Sequence, residues 1–347
     1  MPALHIARRP AARHTLLVGA AVGALALAAC DTGTDAGPGT AGADDQTTDR
    51  DVASLTMGLT YTPDVQFAPF YVAEERGYFE DAGVEVTLRH HGASEGLFTA
   101  ALSGQEDVVV AGGDEMLQAV AEGADLISTA TLYQEYPVAL IVRDDSTIRS
   151  AQDLPGRTVG VPGEFGQTWF GLQVLLESLG ERAEDVEVET IGFTQVGAVV
   201  SGEVDGVMGF VNNEPVALAQ QGTETRTIGL GEDVPLVGIS LIATGPAMQD
   251  DPEAVQAVTD AVLRAVADIV ADPQVAVAAA AQHVPDLDTE EGRATALATI
   301  EATVPLYGTG DEIGAIDQQR WAAMAAFMAD TGLVSAPVEL EGLLAPK

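Results

Sequence analysis

A chain of 347 residues holds enough material for two or three domain-sized units, and 47% of it is hydrophobic against 20% charged, the balance of a folded protein. The formal net charge of −38 leaves no basic field to recruit phosphates, which excludes nucleic acid and anionic membrane surfaces as electrostatic partners. Lys347 is the only lysine and Cys30 the only cysteine, so no intramolecular disulfide can form.

The N-terminus accounts for the cysteine. Arg8, Arg9 and Arg13 precede an apolar stretch from Thr15 to Ala29 that is short for a membrane span, and "LAAC" follows at 27–30. Small residues before a cysteine resemble the bacterial lipoprotein signal. That resemblance implies a signal peptide over 1–29, lipidation of Cys30 and an exported protein anchored at the outer face of the cell membrane. An ordinary secretory signal is the alternative, and Arg8–Arg9 also suits a twin-arginine signal. Cleavage removes three arginines and takes the charge from −38 to −41. Residues 30–53 are polar and rich in Gly, Thr and Asp, a composition that reads as a disordered tether reaching roughly 25 Å.

From Leu55 onward short β-like runs alternate with helical ones. "SLTMGLTY" precedes the helical "APFYVAEERGYFEDAG", "VEVTLRHH" precedes "SEGLFTAALSGQ", and "EDVVVAGG" precedes "DEMLQAVAEGA". After the long apolar run "DLISTATLYQEYPVALIVR" the alternation restarts. "RTVGVPG" leads to "TWFGLQVLLESLG", "VEVETIGF" to "QVGAVVSGE", and "VDGVMGFVN" to "EPVALAQQG". "VPLVGISLIATG" is again extended, and the chain from Pro252 is nearly all helical. Strands alternating with helices predict an α/β fold with mixed sheets flanked by helices and a helical C-terminal segment. Extended runs near 137–143 and 235–243 suit crossings between two lobes. The expected division is 54–142 plus 236–347 in lobe 1 and 143–235 in lobe 2, with a cleft that hinge closure can seal.

Ligands of open α/β sheets sit beyond the carboxyl ends of the strands. The hand-overs here read "TYTPDVQFAPFY", "HHGASE", "AGGDEM", "GVPGEFGQTWF" and "GFVNNEP". They supply Tyr61, Asp64, Phe67, Ser94, Asp114, Glu164, Phe165, Gln167, Thr168, Trp169, Asn212, Asn213 and Glu214 as candidate ligand contacts; Tyr133, ahead of the first crossing, joins them. Each has a plainer role. Asp114, Thr168, Ser94 and one of Asn213 or Glu214 stand where an N-cap is expected, and Phe70, Tyr71 and Phe79 suit a core. Caps alone do not require aromatics and two adjacent asparagines at one edge. A planar neutral or cationic heterocycle uses aromatic faces for stacking and amides or carboxylates for its ring nitrogens. The loops hold carboxylates at Asp64, Glu95, Asp114, Glu164 and Glu214 and no arginine or lysine, which disfavours a fully ionised anion.

"FAPFYVAEERGYFEDAGVEV", "QDLPGRTVGVPG", "GVPGEFGQTW" and "GFVNNEP" resemble bacterial substrate-binding lipoproteins of the thiamine-pyrimidine-precursor type, whose broader family includes sulfonate, nitrate and riboflavin binders. The likeness spans roughly residues 55–245 in motifs. It implies a two-lobed periplasmic-binding-protein type II-like fold. It also implies a monomeric binding component of an ABC importer whose permease and ATPase are separate chains. The implied contacts are Tyr61 or Phe67 from the first lobe and Glu164, Phe165, Gln167 and Asn212 to Glu214 from the second. The first loop reads "TYTPD" where a tryptophan commonly stands in pyrimidine binders, so riboflavin and sulfonate ligands remain open beside the pyrimidine, as does a sensing lipoprotein.

The same resemblance brings in a eukaryotic pyrimidine synthase, which implies pyridoxal phosphate on a lysine, an active-site histidine and a cysteine-rich motif. With Lys347 and Cys30 the only residues of their kinds, that chemistry is not expected, and neither a catalytic residue nor a cofactor is assigned. No Gly-x-Ser-x-Gly elbow occurs. His90 and His91 are adjacent on a predicted strand and point to opposite faces, so they cannot share a metal; with His283 they are read as structural or surface groups.

Overall fold

The computed structural model describes residues 52–92, 95–231 and 233–345. The expected signal peptide, the lipidation site Cys30, all but the end of the tether, and Ser94 lie outside the described residues.

The first half-cycle of the chain runs β1 (Ala53–Leu59), α1 (Ala68–Glu75), α2 (Tyr78–Asp81), β2 (Val84–His90), α3 (Thr99–Leu102), β3 (Val108–Gly112), α4 (Gly113–Ala121) and β4 (Leu126–Thr131). The second runs β5 (Val138–Arg143), β6 (Thr158–Val161), α5 (Gly166–Leu179), β7 (Glu187–Thr190), α6 (Gln195–Ser201), β8 (Gly206–Phe210), α7 (Glu214–Gln220) and β9 (Thr225–Ile228). The chain then enters β10 (Ile239–Thr244) and finishes with α8 (Gly245–Asp250), α9 (Pro252–Ala271), α10 (Gln274–Ala280), α11 (Glu290–Thr303) and α12 (Gln318–Asp330). The helix expected over "APFYVAEERGYFEDAG" breaks in two at Gly77, whose φ of 69° is a left-handed turn that glycine adopts without strain.

Two five-stranded sheets result, ordered β2-β1-β3-β10-β4 and β7-β6-β8-β5-β9. In each, the first three strands are parallel and the fourth position is held by an antiparallel strand. That antiparallel strand has in both cases just arrived from the other lobe. Val138–Arg143, which the sequence reading placed almost wholly in lobe 1, pairs with β8 and β9 in the second sheet. The runs 137–143 and 235–243 are therefore mostly strand, and the crossings precede them at 132–137 and 229–238. β9 gave no expectation from sequence.

Side-chain alternation sorts the cores. In β3, Val108 and Val110 join a core with α1, α9, α10 and α11, while Val109 and Ala111 face a second core with α4 and α12. A strand of valines buried on both faces is the usual content of a central parallel strand. The second core is continuous across the lobes: Met116 and Trp321 share it with Leu140, Val159 and Phe170 of the second sheet. A small third core of Ile141, Val207 and Leu218 closes the far face of that sheet. β7, at the edge, keeps all four residues exposed, and its Glu187 and Glu189 guard it against pairing with other chains.

Candidate functional site

Strand order reverses at β1 in the first sheet and at β6 in the second, so each sheet has a switch point where its parallel strands hand over to loops. Thr60 Oγ1 donates to the Val110 carbonyl at 2.6 Å and ties the first of these crevices shut. The two carboxyl edges meet each other through polar side chains.

Asn212, after β8, is fully buried and its Nδ2 donates to Gln66 Oε1 at 3.2 Å and to Thr303 Oγ1 at 2.8 Å, so it links the second lobe to the first loop and to α11. Its Oδ1 has no partner; the Tyr307 hydroxyl, on a ring packed against Tyr133, is buried and unpartnered as well. Gln66 is held by Asp64, whose Oδ1 accepts from the Gln66 backbone N–H at 2.9 Å and from its Nε2 at 3.2 Å. Tyr133 packs edge-on against Tyr307 with centroids 5.5 Å apart. Burial pushes both phenols up, so neither ionises near neutrality and both remain donors.

A second polar cluster joins the start of α4 to the start of α5. Tyr136 Oη donates to Asp114 Oδ2 at 2.6 Å and lies 3.0 Å from the Gln167 carbonyl. Asp114 is fully buried, and burial, followed by the neighbouring Glu115 charge, raises its carboxyl well above the ordinary range. Burial likewise raises Glu115, whose Oε2 accepts the Gly112 N–H at 2.9 Å. Gln167 is 4% exposed with its Nε2 unpartnered, 2.9 Å from where a Cβ on Gly112 would sit. Glycine at 112 is what lets the two helix starts approach.

The first loop rests on His90. Its Nδ1 lies 3.1 Å from the Tyr61 carbonyl, which can only accept, so Nδ1 carries the proton and Nε2 accepts from Tyr71 Oη at 2.9 Å. Burial lowers the His90 pKa, in keeping with this neutral tautomer. Tyr71 stacks on His283 at 4.0 Å and 6°, and His91 is buried against Glu106 at 2.9 Å. These histidines are structural partners, as the sequence reading held. Arg89, the guanidinium nearest the second loop in sequence, is paired with Glu95 at 2.7 Å and Glu106 at 2.5 Å.

Among the candidates, Asp64, Asp114, Tyr133, Gln167 and Asn212 take part in these two clusters or adjoin them. Tyr61, Glu164, Phe165 and Asn213 are exposed, and Phe67 packs on Phe70 and His90. Phe70, Tyr71 and Phe79 are core. Trp169 packs on the continuous core, and Thr168 is buried inside α5. Two expected caps are corrected. Gly112 and Phe165 occupy the N-cap positions of α4 and α5, which puts Asp114 and Thr168 inside their helices. Of Asn213 and Glu214, Asn213 is the N-cap of α7, though without a side-chain bond, and the buried Glu214 carboxylate accepts the Phe210 N–H at 2.7 Å. Sequence reasoning missed Gln66, Glu115, Tyr136, Thr303, Tyr307 and Phe193. Phe193 had a findable signal, since it follows β7 at the same edge; Thr303 and Tyr307 come from the C-terminal helical segment and had none. Two cavities of about 180 Å³ occur, one against the crossings and lined by Tyr136, Leu236 and Arg320, so that it adjoins the second cluster, the other bounded by Thr129, Thr259 and Ala345.

Residues 64–276, more than half the chain, match the profile of the NMT1/THI5-like family. The chain belongs to this family. Within reach of it is the riboflavin-binding protein RibY of Chloroflexus aurantiacus, 33% identical over 298 residues that cover 83% of each chain. A 4-amino-5-hydroxymethyl-2-methylpyrimidine phosphate synthase of Aspergillus parasiticus is 26% identical over 60% of this chain and 64% of its own. The periplasmic aliphatic sulphonate binding protein SsuA from Escherichia coli superposes with a TM-score of 0.68 at 17% identity, covering 84% of this chain and 92% of that one. Such likeness establishes the fold: this NMT1/THI5-like chain has the two-lobed periplasmic-binding-protein architecture expected from its motifs.

Proposed function

We propose that this protein is the exported solute-binding component of an ABC importer, closing its two lobes on a planar nitrogen heterocycle, with a flavin ring as the first candidate. One observation carries the reading: the residues at the carboxyl edges include buried amide and phenol groups whose pairing is left incomplete. Asn212 Oδ1, Gln167 Nε2 and the Tyr307 hydroxyl are all buried without partners. An unpaired buried polar group is costly, and a heterocycle that offers both ring nitrogens and carbonyls satisfies donors and acceptors together. Arg89 is engaged by two carboxylates, so a sulfonate or nitrate would have neutral side-chain and backbone donors but no free Arg89 guanidinium to offset its charge. The motifs put the thiamine pyrimidine precursor first; a relative 33% identical along most of both chains and named for riboflavin moves the flavin ahead of it.

Function in this reading is differential affinity: the ligand binds the closed arrangement better than the open one, and no bond is made or broken. The only lysine, Lys347, stands at the end of the chain, which leaves the core without a Schiff-base residue for the chemistry of the synthases in the family. Cys30 supplies the lipid anchor, the permease and ATPase are separate chains, and the protein acts as a monomer.

A thermal-shift screen against riboflavin, the aminopyrimidine precursor, thiamine, taurine and nitrate tests this. A ligand at a hundred times its dissociation constant adds about 2.7 kcal/mol, a shift of several degrees. Riboflavin is expected to give the largest shift. A response to the pyrimidine alone changes the ligand within the same class, whereas a response to taurine or nitrate alone defeats the heterocycle reading.

A further inference from the structure

Three aromatic side chains are exposed among the described residues, and all three stand just beyond the carboxyl ends of parallel strands: Tyr61 after β1 at 49%, Phe165 after β6 at 55% and Phe193 after β7 at 70%. Of the other phenylalanines, Phe70, Phe79, Phe98, Phe170 and Phe327 are buried in the cores, and Phe67 and Phe210 are half-buried against them. Leaving two phenylalanine rings in water side by side forgoes a large burial gain, and such a pair at a cleft edge marks a surface that something apolar covers.

β6 and β7 are parallel neighbours, so Phe165 and Phe193 occupy adjacent loops, with ring centroids 6.4 Å apart and planes tilted by 60°. The Phe165 ring lies over Gly163, where an added Cβ would come within 2.2 Å of it. Gly192 turns the other loop with a φ of 62°, a conformation that side-chain-bearing residues rarely adopt. β8 flanks β6 on its other side, so the loop that carries Asn212 follows the strand next to the one that leads to Phe165. Neighbouring strands stand about 4.8 Å apart, so a fused-ring system reaching along this edge from Asn212 comes closer to the two phenylalanines than a single ring does.

We propose that Phe165 and Phe193 form a specificity element that selects fused-ring heterocycles over single-ring pyrimidines, by stacking on the part of the ligand that extends from the Asn212 junction. This rests on the heterocycle reading above and adds Phe193, which that reading does not require.

The test compares dissociation constants for riboflavin, for lumichrome (the tricyclic ring without the ribityl chain) and for 4-amino-5-hydroxymethyl-2-methylpyrimidine. The proteins are the unaltered chain, Phe193→Ala and Phe193→Tyr, with melting of the empty variants to show that the fold is kept. The expected result is a fall of about tenfold in the ratio of flavin to pyrimidine affinity in Phe193→Ala, matched by lumichrome and recovered in Phe193→Tyr. Where the pyrimidine binds too weakly to measure, the loss of flavin affinity and its recovery decide. An unchanged ratio overturns the inference and leaves the functional reading standing, whether both ligands weaken together or neither does. Failure of the unaltered protein to bind any of the three overturns the functional reading, and the inference with it.

Discussion

Around Asn212 the lobes meet through amides and hydroxyls; around Asp114 they meet through two carboxyls, a phenol and a glutamine. The first cluster pairs amides and hydroxyls, with Gln66 held in place by Asp64, and leaves Asn212 Oδ1 open; the Tyr307 hydroxyl, on the ring packed against Tyr133, is open as well. In the second, both oxygens of Asp114 are engaged, by the Tyr136 hydroxyl and the Glu115 N–H, and Glu115 is turned back onto Gly112. Its one open group is Gln167 Nε2. The contrast separates two jobs. On the reading proposed above, the first cluster's open groups would meet the ligand, while the second, whose carboxyls are engaged within it, sets how closely the lobes approach and leaves only Gln167 Nε2 open. Burial, which raises both carboxyls of the second cluster, also makes that cluster sensitive to protons.

The largest expected effect comes from spoiling the approach. Gly112→Val puts a branched side chain where Asp114 Oδ1 stands 2.3 Å and Gln167 Nε2 2.9 Å from an ideal Cβ. The starts of α4 and α5 then cannot meet without displacement. Overpacking of this kind costs about 1–3 kcal/mol, equivalent to roughly ten- to hundredfold in affinity when it acts on the closed form alone. Small-angle scattering of the variant should show a larger radius in the presence of ligand. Undiminished affinity would mean that closure does not bring these two helix starts together.

Next in size is the loss of Asn212. Asn212→Ala removes the donor to half-buried Gln66 and to fully buried Thr303 and leaves a void beside them. The expected penalty is about 1–3 kcal/mol, read as a ten- to hundredfold weaker ligand together with a lower melting temperature. Asn213→Ala is the internal control: its side chain is exposed and makes no capping bond, so titration should find less than about a twofold change. Equal losses at the two positions would erase the distinction between a junction residue and its solvent-facing neighbour.

Much of this arrangement was legible in the sequence because period and punctuation are local. The valines of "EDVVVAGG", the proline after "NNE" and the strand–helix alternation all act within a few residues, and they located the hand-over loops at which both clusters form. Capping was misjudged at Asp114 and Thr168 because a residue of capping type does not reveal whether the helix has already begun one or two residues earlier; at both sites a glycine or a phenylalanine holds the cap. β5 was put in the wrong lobe because an apolar run carries no record of which sheet it joins. Gln66, Tyr136 and Thr303 were missed for a related reason. Their junction contacts are with residues 146, 22 and 91 positions away, separations that no local pattern encodes.

The smallest effect should be the most diagnostic of the second cluster. Asp114 and Glu115 have raised pKa values in the folded protein, so between the ordinary carboxylate range and those raised values the native state binds more protons than the unfolded chain. Stability from this pair is accordingly full at low pH and falls as pH rises through that window. In Asp114→Asn the amide oxygen can still accept the Glu115 N–H, while its NH₂ donates to the Tyr136 hydroxyl, which in turn donates to the Gln167 carbonyl. No buried group is orphaned and one buried charge is gone. The variant should melt on the order of a few degrees higher at pH 8 than the unaltered protein. Its melting temperature should also decline less between pH 5 and pH 8. If the two proteins instead decline in parallel, Asp114 is already ionised throughout that range, and the proton sensitivity assigned to this side of the junction belongs to Glu115 or to neither.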